Sequence, residues 1–159
     1  MVSKLSASFV CLFTLTTLVA CSSPATVQTT PANRYGATSE QVIKIAESMI
    51  GVKYHYGGKS PKIGFDCSGL VYFSYLQVGI TLPRTSSAQY AASKPVSKKS
   101  IKRGDLLFFR IYRGKISHVG IYLGNNRFVH APSSGKKVSI GELDSPYWRK
   151  HFVRGGRFI

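Results

Sequence analysis

The sequence predicts an α+β fold in which helices pack on an antiparallel β-sheet. Segments with helical spacing of apolar residues lie in the first half of the chain, whereas short β-type runs separated by turn residues begin near residue 104. Helices first and strands second favour an antiparallel sheet. The chain has 159 residues, of which 43% are hydrophobic, which is enough for one folded domain with one core.

The N-terminus has the composition of a secretory signal peptide. Lys4 precedes an apolar run that continues to Ala20 and is too short for a membrane-spanning helix. The run ends in Leu18-Val19-Ala20-Cys21, which resembles the lipobox of bacterial lipoproteins, where the cysteine is acylated and becomes the mature N-terminus. We therefore predict a signal peptide over residues 1–20 and a lipid on Cys21; the alternative is an ordinary signal peptide with a chance cysteine.

Residues 21–38 are predicted to be a flexible tether between the lipid and the domain, because they are rich in Ser, Thr, Pro and Ala and almost uncharged. The folded domain is expected over residues 39–159. Ser22 follows the modified cysteine, and by the same resemblance this favours the outer membrane over the inner membrane. The expected location is therefore the periplasmic face of the envelope.

Three helices are expected before the sheet. The first has Ser39 as its N-cap and ends at Gly51. The apolar residues of its buried face are Val42, Ile45, Ala46 and Met49. The second helix runs from Cys67 to Val78 before Gly79 and is apolar on nearly all sides, so we expect it to be the buried central helix. A short third helix is expected over residues 86–92.

The second half contains the expected strands. They are Leu106–Phe109, Val119–Leu123, Phe128–His130, Val138–Ile140 and the last residues, 154–159. The turns between them contain Gly114, Gly124-Asn125-Asn126 and Ser133-Ser134-Gly135.

The chain is strongly basic. It has 22 Lys and Arg against 6 Asp and Glu, a formal net charge of +16. Such a charge predicts an anionic neighbour, either a membrane surface or an anionic polymer. The basic residues are scattered, which argues against a nucleic-acid partner. Arg84 is singled out because it follows the central helix closely and is expected to border a substrate groove.

Cys67 is the candidate nucleophile. It is the one cysteine left once Cys11 is removed with the signal peptide and Cys21 carries lipid. The unpaired N–H groups and the dipole of the helix start favour a thiolate, so a lowered pKa is predicted for this thiol. The alternative is an inert buried cysteine. Such a residue would be expected at the apolar positions of Leu70 or Val71 rather than at a polar helix start.

His118 and His130 are the candidate partners of this thiol, since His55 and His151 lie in surface segments. A three-residue loop over residues 124–126 would pair positions whose numbers sum to 250. His130 would then lie two residues from the partner of His118 on the same face, within reach of its ring. A two-residue loop would place the rings on opposite faces.

Six blocks occur in an order that resembles the NlpC family of cell-wall cysteine peptidases, over roughly residues 40–159. The blocks are Tyr54-His55-Tyr56-Gly57-Gly58, Asp66-Cys67-Ser68-Gly69-Leu70, Gly79-Ile80-Thr81-Leu82-Pro83-Arg84, Gly104-Asp105-Leu106, His118-Val119-Gly120-Ile121-Tyr122-Leu123-Gly124 and His130-Ala131. The resemblance implies a circularly rearranged papain-like fold and a peptidase that acts on the peptide stems of peptidoglycan.

The resemblance also implies roles for individual residues. Cys67 would be the nucleophile, His118 the base and His130 the residue that orients this base. Tyr54, whose spacing to Cys67 is one residue longer than is common, would help stabilise the oxyanion. Ser68 and Arg84 complete the expected oxyanion and substrate contacts.

Neither a metal nor another cofactor is expected, since the Cys and His residues lack short-range ligand spacing. The expected partners are peptidoglycan and, through Cys21, the membrane, with the protein itself a monomer. Two other functions remain open: a non-catalytic wall-binding lipoprotein, and an enzyme that transfers the acyl group to a nucleophile other than water.

Overall fold

The computed structural model describes residues 38–112 and 114–159. The predicted signal peptide, Cys21 and the tether up to residue 37 lie outside the described residues. In the described ranges four α-helices are present: α1 (Ser39–Ser48), α2 (Cys67–Leu76), α3 (Ser86–Ala92) and α4 (Pro146–His151). None of them is long and apolar enough to cross a membrane.

Eight β-strands accompany the helices in this part of the chain. They are β1 (Lys59–Ser60), β2 (Gly64–Phe65), β3 (Lys94–Val96), β4 (Leu106–Phe109), β5 (His118–Gly124), β6 (Arg127–His130), β7 (Ser139–Glu142) and β8 (Phe152–Arg157). The first two form a small hairpin, and the other six form one antiparallel sheet in the order β3-β8-β4-β5-β6-β7. Strands β4 and β5 are therefore central and almost entirely buried.

The core lies on both faces of this sheet. On one face α1 and α2 pack against β5, and the buried residues there include Leu70, Val71 and Val119. On the other face a smaller cluster, which includes Phe109, packs against Trp148 of α4. The α+β class predicted from the sequence is confirmed.

The β5–β6 hairpin has a two-residue turn, so the predicted three-residue loop is wrong. Asn125 and Asn126 occupy the turn with φ angles of 51° and 57°, and Gly124 pairs with Arg127. Positive φ at both central residues is typical of a type I′ turn, which matches the twist of two-residue hairpins.

A bulge restores the predicted register beyond this turn. The pairing shifts between Tyr122 and Gly124, so Leu123 is an extra residue on β5. From Tyr122, which pairs with Phe128, the paired numbers sum to 250 as predicted. His118 and His130 therefore share a face, although the turn alone would have separated them.

Helix α1 differs from the prediction at its start. Thr38, not Ser39, is the N-cap, and it forms a capping box with Gln41. Ile43 is buried while Ile45 is only partly buried, so the buried face is rotated slightly from the predicted one.

Several short elements were not predicted from the sequence. They are the β1–β2 hairpin, β3 and α4. The strands are two or three residues long, which is too short to show a period. Helix α4 has six residues and ends in Arg149, Lys150 and His151, so no apolar face is visible in its sequence.

Candidate active site

Cys67 is the first residue of α2, as predicted, and its thiol is free and half-buried. Asp66 is the N-cap, and its Oδ1 accepts the N–H of Gly69 at 2.6 Å. Backbone N–H groups in the first turn of a helix have no intrahelical acceptor. The N–H groups of Cys67 and Ser68 are thus donors available beside the sulfur.

An ion pair holds this helix start in place. Arg84 donates to Asp66 through both terminal nitrogens, at 2.9 Å to Oδ1 and 2.7 Å to Oδ2. The same guanidinium donates to the Ser68 hydroxyl at 3.0 Å and to the Gly58 carbonyl at 3.1 Å. Hydrogen bonding to Asp66 raises the pKa of Arg84. The structure thus places Arg84 and the Ser68 side chain in one network beside Cys67.

Gly69 lets α2 pack closely on a neighbouring backbone segment. A Cβ at Gly69 would overlap the carbonyl oxygen of Gly58. Glycine is required here because α2 packs directly on the backbone of the Gly57-Gly58 segment.

The His118 and His130 rings are hydrogen-bonded to each other. The distance from His118 Nε2 to His130 Nδ1 is 2.9 Å, and the rings are perpendicular. Both side chains are buried, with exposed fractions of 3% and 4%. Because Nε2 is engaged by His130, Nδ1 is the nitrogen of His118 that does not take part in this bond.

Trp148 contacts both histidines and was missed by the sequence analysis. Its indole stacks on His118 with ring centroids 5.2 Å apart and an interplanar angle of 27°. It meets His130 edge to face at 4.9 Å. Trp148 is the single tryptophan of the chain, which is the one sequence feature that could have drawn attention to it.

The predicted direction of the Cys67 pKa shift is wrong. Burial and the neighbouring charge of Asp66 raise the pKa of the Cys67 thiol to about 11. Backbone N–H groups near the sulfur, including that of Val119, oppose the shift but do not reverse it. Desolvation therefore outweighs the helix start, and the resting group is a thiol.

The histidines are also neutral at rest. Burial lowers the pKa of His118 well below its usual value near 6.5, and repulsion from His130 lowers it further. Burial, with the charge of Lys136, lowers the pKa of His130 to about 4. A thiol beside a neutral imidazole suits general-base activation of the thiol.

Two cavities meet at Cys67. The larger, about 650 Å³, is lined by residues that include His118, Lys136, Tyr147 and Trp148, and we call it the histidine-side pocket. The smaller, about 370 Å³, is lined by residues that include Asp66, Ser68 and Arg84, and we call it the arginine-side pocket. Tyr54 and Cys67 line both.

Tyr54 therefore lies beside Cys67 despite the longer spacing in sequence. Its backbone N–H donates to the Lys136 carbonyl at 2.9 Å, and it bridges to Phe65 just before the nucleophile. Burial raises the pKa of the Tyr54 hydroxyl, with a smaller contribution from Cys67. The hydroxyl is thus a protonated donor, and its role at an oxyanion stays a prediction.

Comparisons with known proteins identify relatives that match most of this chain. The chain is 40% identical over 138 residues to the murein DD-endopeptidase MepH of Escherichia coli (strain K12), an alignment covering 82% of this chain and 51% of that protein. It is 48% identical over 120 residues to the bifunctional muramidase/DL-endopeptidase CwlT of Bacillus subtilis (strain 168), covering 74% and 36%.

A solved structure has the same fold. The NlpC/P60 family protein from Bacillus cereus ATCC 10987 matches with a TM-score of 0.74 and 30% identity, over 79% of this chain and 42% of that chain. The chain spans about half the length, or less, of these three proteins. A model of the NlpC/P60 family matches residues 51–157. The chain therefore belongs to the NlpC/P60 family.

Proposed function

We propose that this protein is a cysteine endopeptidase that hydrolyses peptide bonds of peptidoglycan. The observation that carries the proposal is that a free thiol, Cys67, lines one cavity with His118, whose ring is hydrogen-bonded to His130. The names of the relatives, an endopeptidase of murein and a DL-endopeptidase, support peptidoglycan as the substrate.

The first half of the reaction is acylation of the thiol. His118 takes the thiol proton at Nδ1 while the sulfur forms a bond to the peptide carbonyl carbon. The carbonyl oxygen becomes an oxyanion, for which the N–H groups of Cys67 and Ser68 and the Tyr54 hydroxyl are the available donors. One such donor typically contributes about 3–4 kcal/mol to the transition state.

The second half releases both products. The C–N bond breaks, and His118 gives its proton to the departing amine. A water molecule, deprotonated by His118, then attacks the thioester, and the sulfur leaves with the proton that His118 returns. His130 orients His118 through the bond at Nε2 and stabilises the imidazolium that forms.

Mass spectrometry of purified muropeptides tests the proposal. Wild-type protein should convert a crosslinked or stem muropeptide into two fragments whose summed mass exceeds the substrate by one water. Cys67→Ala should produce neither fragment. An acyl fragment joined to an acceptor other than water would indicate acyl transfer. An unchanged substrate with bound protein would indicate a wall-binding protein. The fragment masses also identify the bond, since the relatives include both DD and DL types.

We propose further that the mature protein is a monomer anchored by lipid on Cys21 to the outer membrane, facing the periplasm. The sequence Leu18-Val19-Ala20-Cys21 and the following Ser22 support this location. In cells, Cys21→Ala should yield soluble or unprocessed protein. Recovery of a processed Cys21→Ala protein that is still firmly in the membrane would contradict the lipid anchor.

A further inference from the structure

The two pockets on either side of Cys67 have different chemistry. The arginine-side pocket contains a carboxylate and a guanidinium that neutralise each other, Asp66 and Arg84. The histidine-side pocket contains one lysine, Lys136, and no acidic residue among the described residues that line it. The larger pocket therefore presents an uncompensated positive charge to whatever enters it.

The position of His118 decides which part of the substrate enters this pocket. This step rests on the proposed function, in which His118 protonates the departing amine. A general acid must lie within hydrogen-bond reach of the atom that it protonates. Because His118 lines the histidine-side pocket, the fragment that carries the new amine occupies that pocket.

Lys136 is held at this pocket by its backbone. Its carbonyl accepts the N–H of Tyr54 at 2.9 Å, and its own N–H donates to the Ser133 carbonyl at 3.2 Å. Its side chain is exposed, and the four ion pairs among the described residues do not include it. Its charge nevertheless reaches the catalytic pair, since it contributes to the lowered pKa of His130.

The remaining walls of the pocket suit an amino-acid residue with an aliphatic stem. Tyr112 and Tyr147 border the pocket with exposed fractions of 65% and 50%, and Trp148 also lines it, stacked on His118. Aromatic rings pack well on methylene chains, and a lysine ammonium binds a carboxylate as a point charge.

We propose that the histidine-side pocket is the subsite for the leaving fragment, and that Lys136 selects fragments whose amine-bearing residue has a free carboxylate. In peptidoglycan the residue of this chemistry is the diamino acid, which supplies the amine both in the stem bond and in the crosslink. A carboxamide in place of that carboxylate would leave Lys136 without a partner.

The test compares matched substrates and matched variants. Whichever muropeptide the wild-type protein cleaves is prepared in three forms: with all carboxylates free, with the diamino-acid carboxyl as an amide, and with a carboxyl of the acyl fragment as an amide. The variants are Lys136→Gln and, as control, Lys137→Gln, which removes the same charge from the next residue, outside the pocket lining.

For wild type and Lys137→Gln, we expect amidation of the diamino acid to raise KM at least tenfold with little change in kcat. Lys136→Gln should raise KM about tenfold on the free acid, and it should no longer distinguish acid from amide on the diamino acid.

Equal KM values of wild type for the free acid and the diamino-acid amide would overturn the proposal, as would an unchanged preference in Lys136→Gln. If Lys136→Gln loses discrimination only for the acyl fragment, the assignment of the pockets is reversed. If wild type cleaves none of the three forms, that result would instead contradict the proposed function.

Discussion

At the scale of single residues, the reactive group of this site is an uncharged thiol. Burial and Asp66 raise the pKa of Cys67, and burial lowers the pKa of His118, so neither group is ionised near pH 7. A thiolate–imidazolium pair would need a lowered pKa of Cys67 and a raised pKa of His118. In the proposed mechanism the thiol is therefore activated only when His118 takes its proton during attack.

Alkylation of Cys67 by iodoacetamide measures this directly, since the thiolate is the form that reacts. A raised pKa means that the thiolate fraction grows about tenfold per pH unit up to a pH near the pKa. We expect the alkylation rate to rise steadily from pH 7 to pH 10 without a plateau. Cys67→Ala serves as the background control. A rate that is already constant between pH 6 and pH 8 would show a preformed thiolate.

Trp148 is expected to position His118 and to stabilise its charged form. The indole face stacks on the imidazole, and a cation over an aromatic face gains about 0.5–2 kcal/mol. Trp148→Leu should therefore lower kcat several-fold to about thirtyfold, with a smaller change in KM. Trp148→Phe, which keeps an aromatic face, should retain more activity.

The pH profile of kcat separates positioning by Trp148 from a purely structural role. Loss of the stacking should shift the limb that reports His118 to lower pH in Trp148→Leu and less in Trp148→Phe. If both variants show the same loss of activity and the same fall in melting temperature, and the pH profile of kcat does not shift, Trp148 is only part of the core.

At the scale of secondary-structure elements, the start of α2 is the element that positions Cys67, the proposed nucleophile. Asp66 caps it, Arg84 fixes Asp66, and Gly69 lets the helix contact the Gly58 carbonyl. Arg84 donates four hydrogen bonds within this network. It also lines the arginine-side pocket, and its expected contact with the substrate stays a prediction.

Arg84→Ala should therefore destabilise the fold and lower kcat, because it leaves Asp66 without its partner. Removing one member of a buried pair costs about 3–5 kcal/mol, and this pair is partly exposed, so a loss of about 2 kcal/mol is expected. Arg84→Lys should recover only part of it, since an ammonium cannot make the same forked contacts. Urea unfolding gives the free energies, with Arg127→Ala, an exposed site on β6, as control. A change in KM alone, at full stability, would instead indicate the substrate-binding role.

The sequence was sufficient to predict elements whose patterns are long or strongly marked. Helix α3 has the predicted bounds, α2 begins at Cys67 as predicted, and β4 is where its apolar run lies. The histidine pairing was predicted for an incomplete reason, since a bulge at Leu123 compensated for the shorter turn. A bulge has no signature in a single sequence, because it depends on how the strands meet across the sheet.

Other features depend on contacts that no local pattern contains. The stacking of Trp148 on His118 requires α4 to pack on the cluster that contains Phe109, and α4 is too short to be recognised in the sequence. The pKa of Cys67 depends on how deeply the sheet and loops cover it. The position of Cys67 at a helix start, taken alone, therefore predicted a lowered pKa, whereas burial raises it.

At the scale of the whole molecule, most acidic residues are used in ion pairs, and basic residues are left in excess. Four of the six acidic residues form ion pairs: Glu40, Asp66, Asp105 and Asp144. Lys136 at the histidine-side pocket takes part in none of these pairs. The excess positive charge is thus available to an anionic substrate at the site itself.

Added salt should therefore weaken capture of the substrate more than it slows the chemistry. Exposed charges are screened over about 8 Å at physiological ionic strength, whereas the buried histidine pair is shielded from ions. We expect KM to rise several-fold between low and moderate salt while kcat stays nearly constant. Lys136→Gln should reduce this dependence, and Arg84→Ala should not. A KM that is independent of salt would contradict electrostatic capture.

The roles of Cys67 and the two histidines are tested by the turnover of one purified muropeptide by four variants at pH 7. The fold of each variant is checked by its melting temperature. We predict that Cys67→Ala and His118→Ala lose turnover by about a thousandfold or more while remaining folded. His130→Ala should lose less, since an orienting residue is partly replaceable, and His55→Ala, an exposed histidine, should keep wild-type activity. Full activity in Cys67→Ala or in His118→Ala would contradict a peptidase that uses Cys67 as nucleophile and His118 as base. A loss in His130→Ala greater than in His118→Ala would show that the two histidine roles are exchanged.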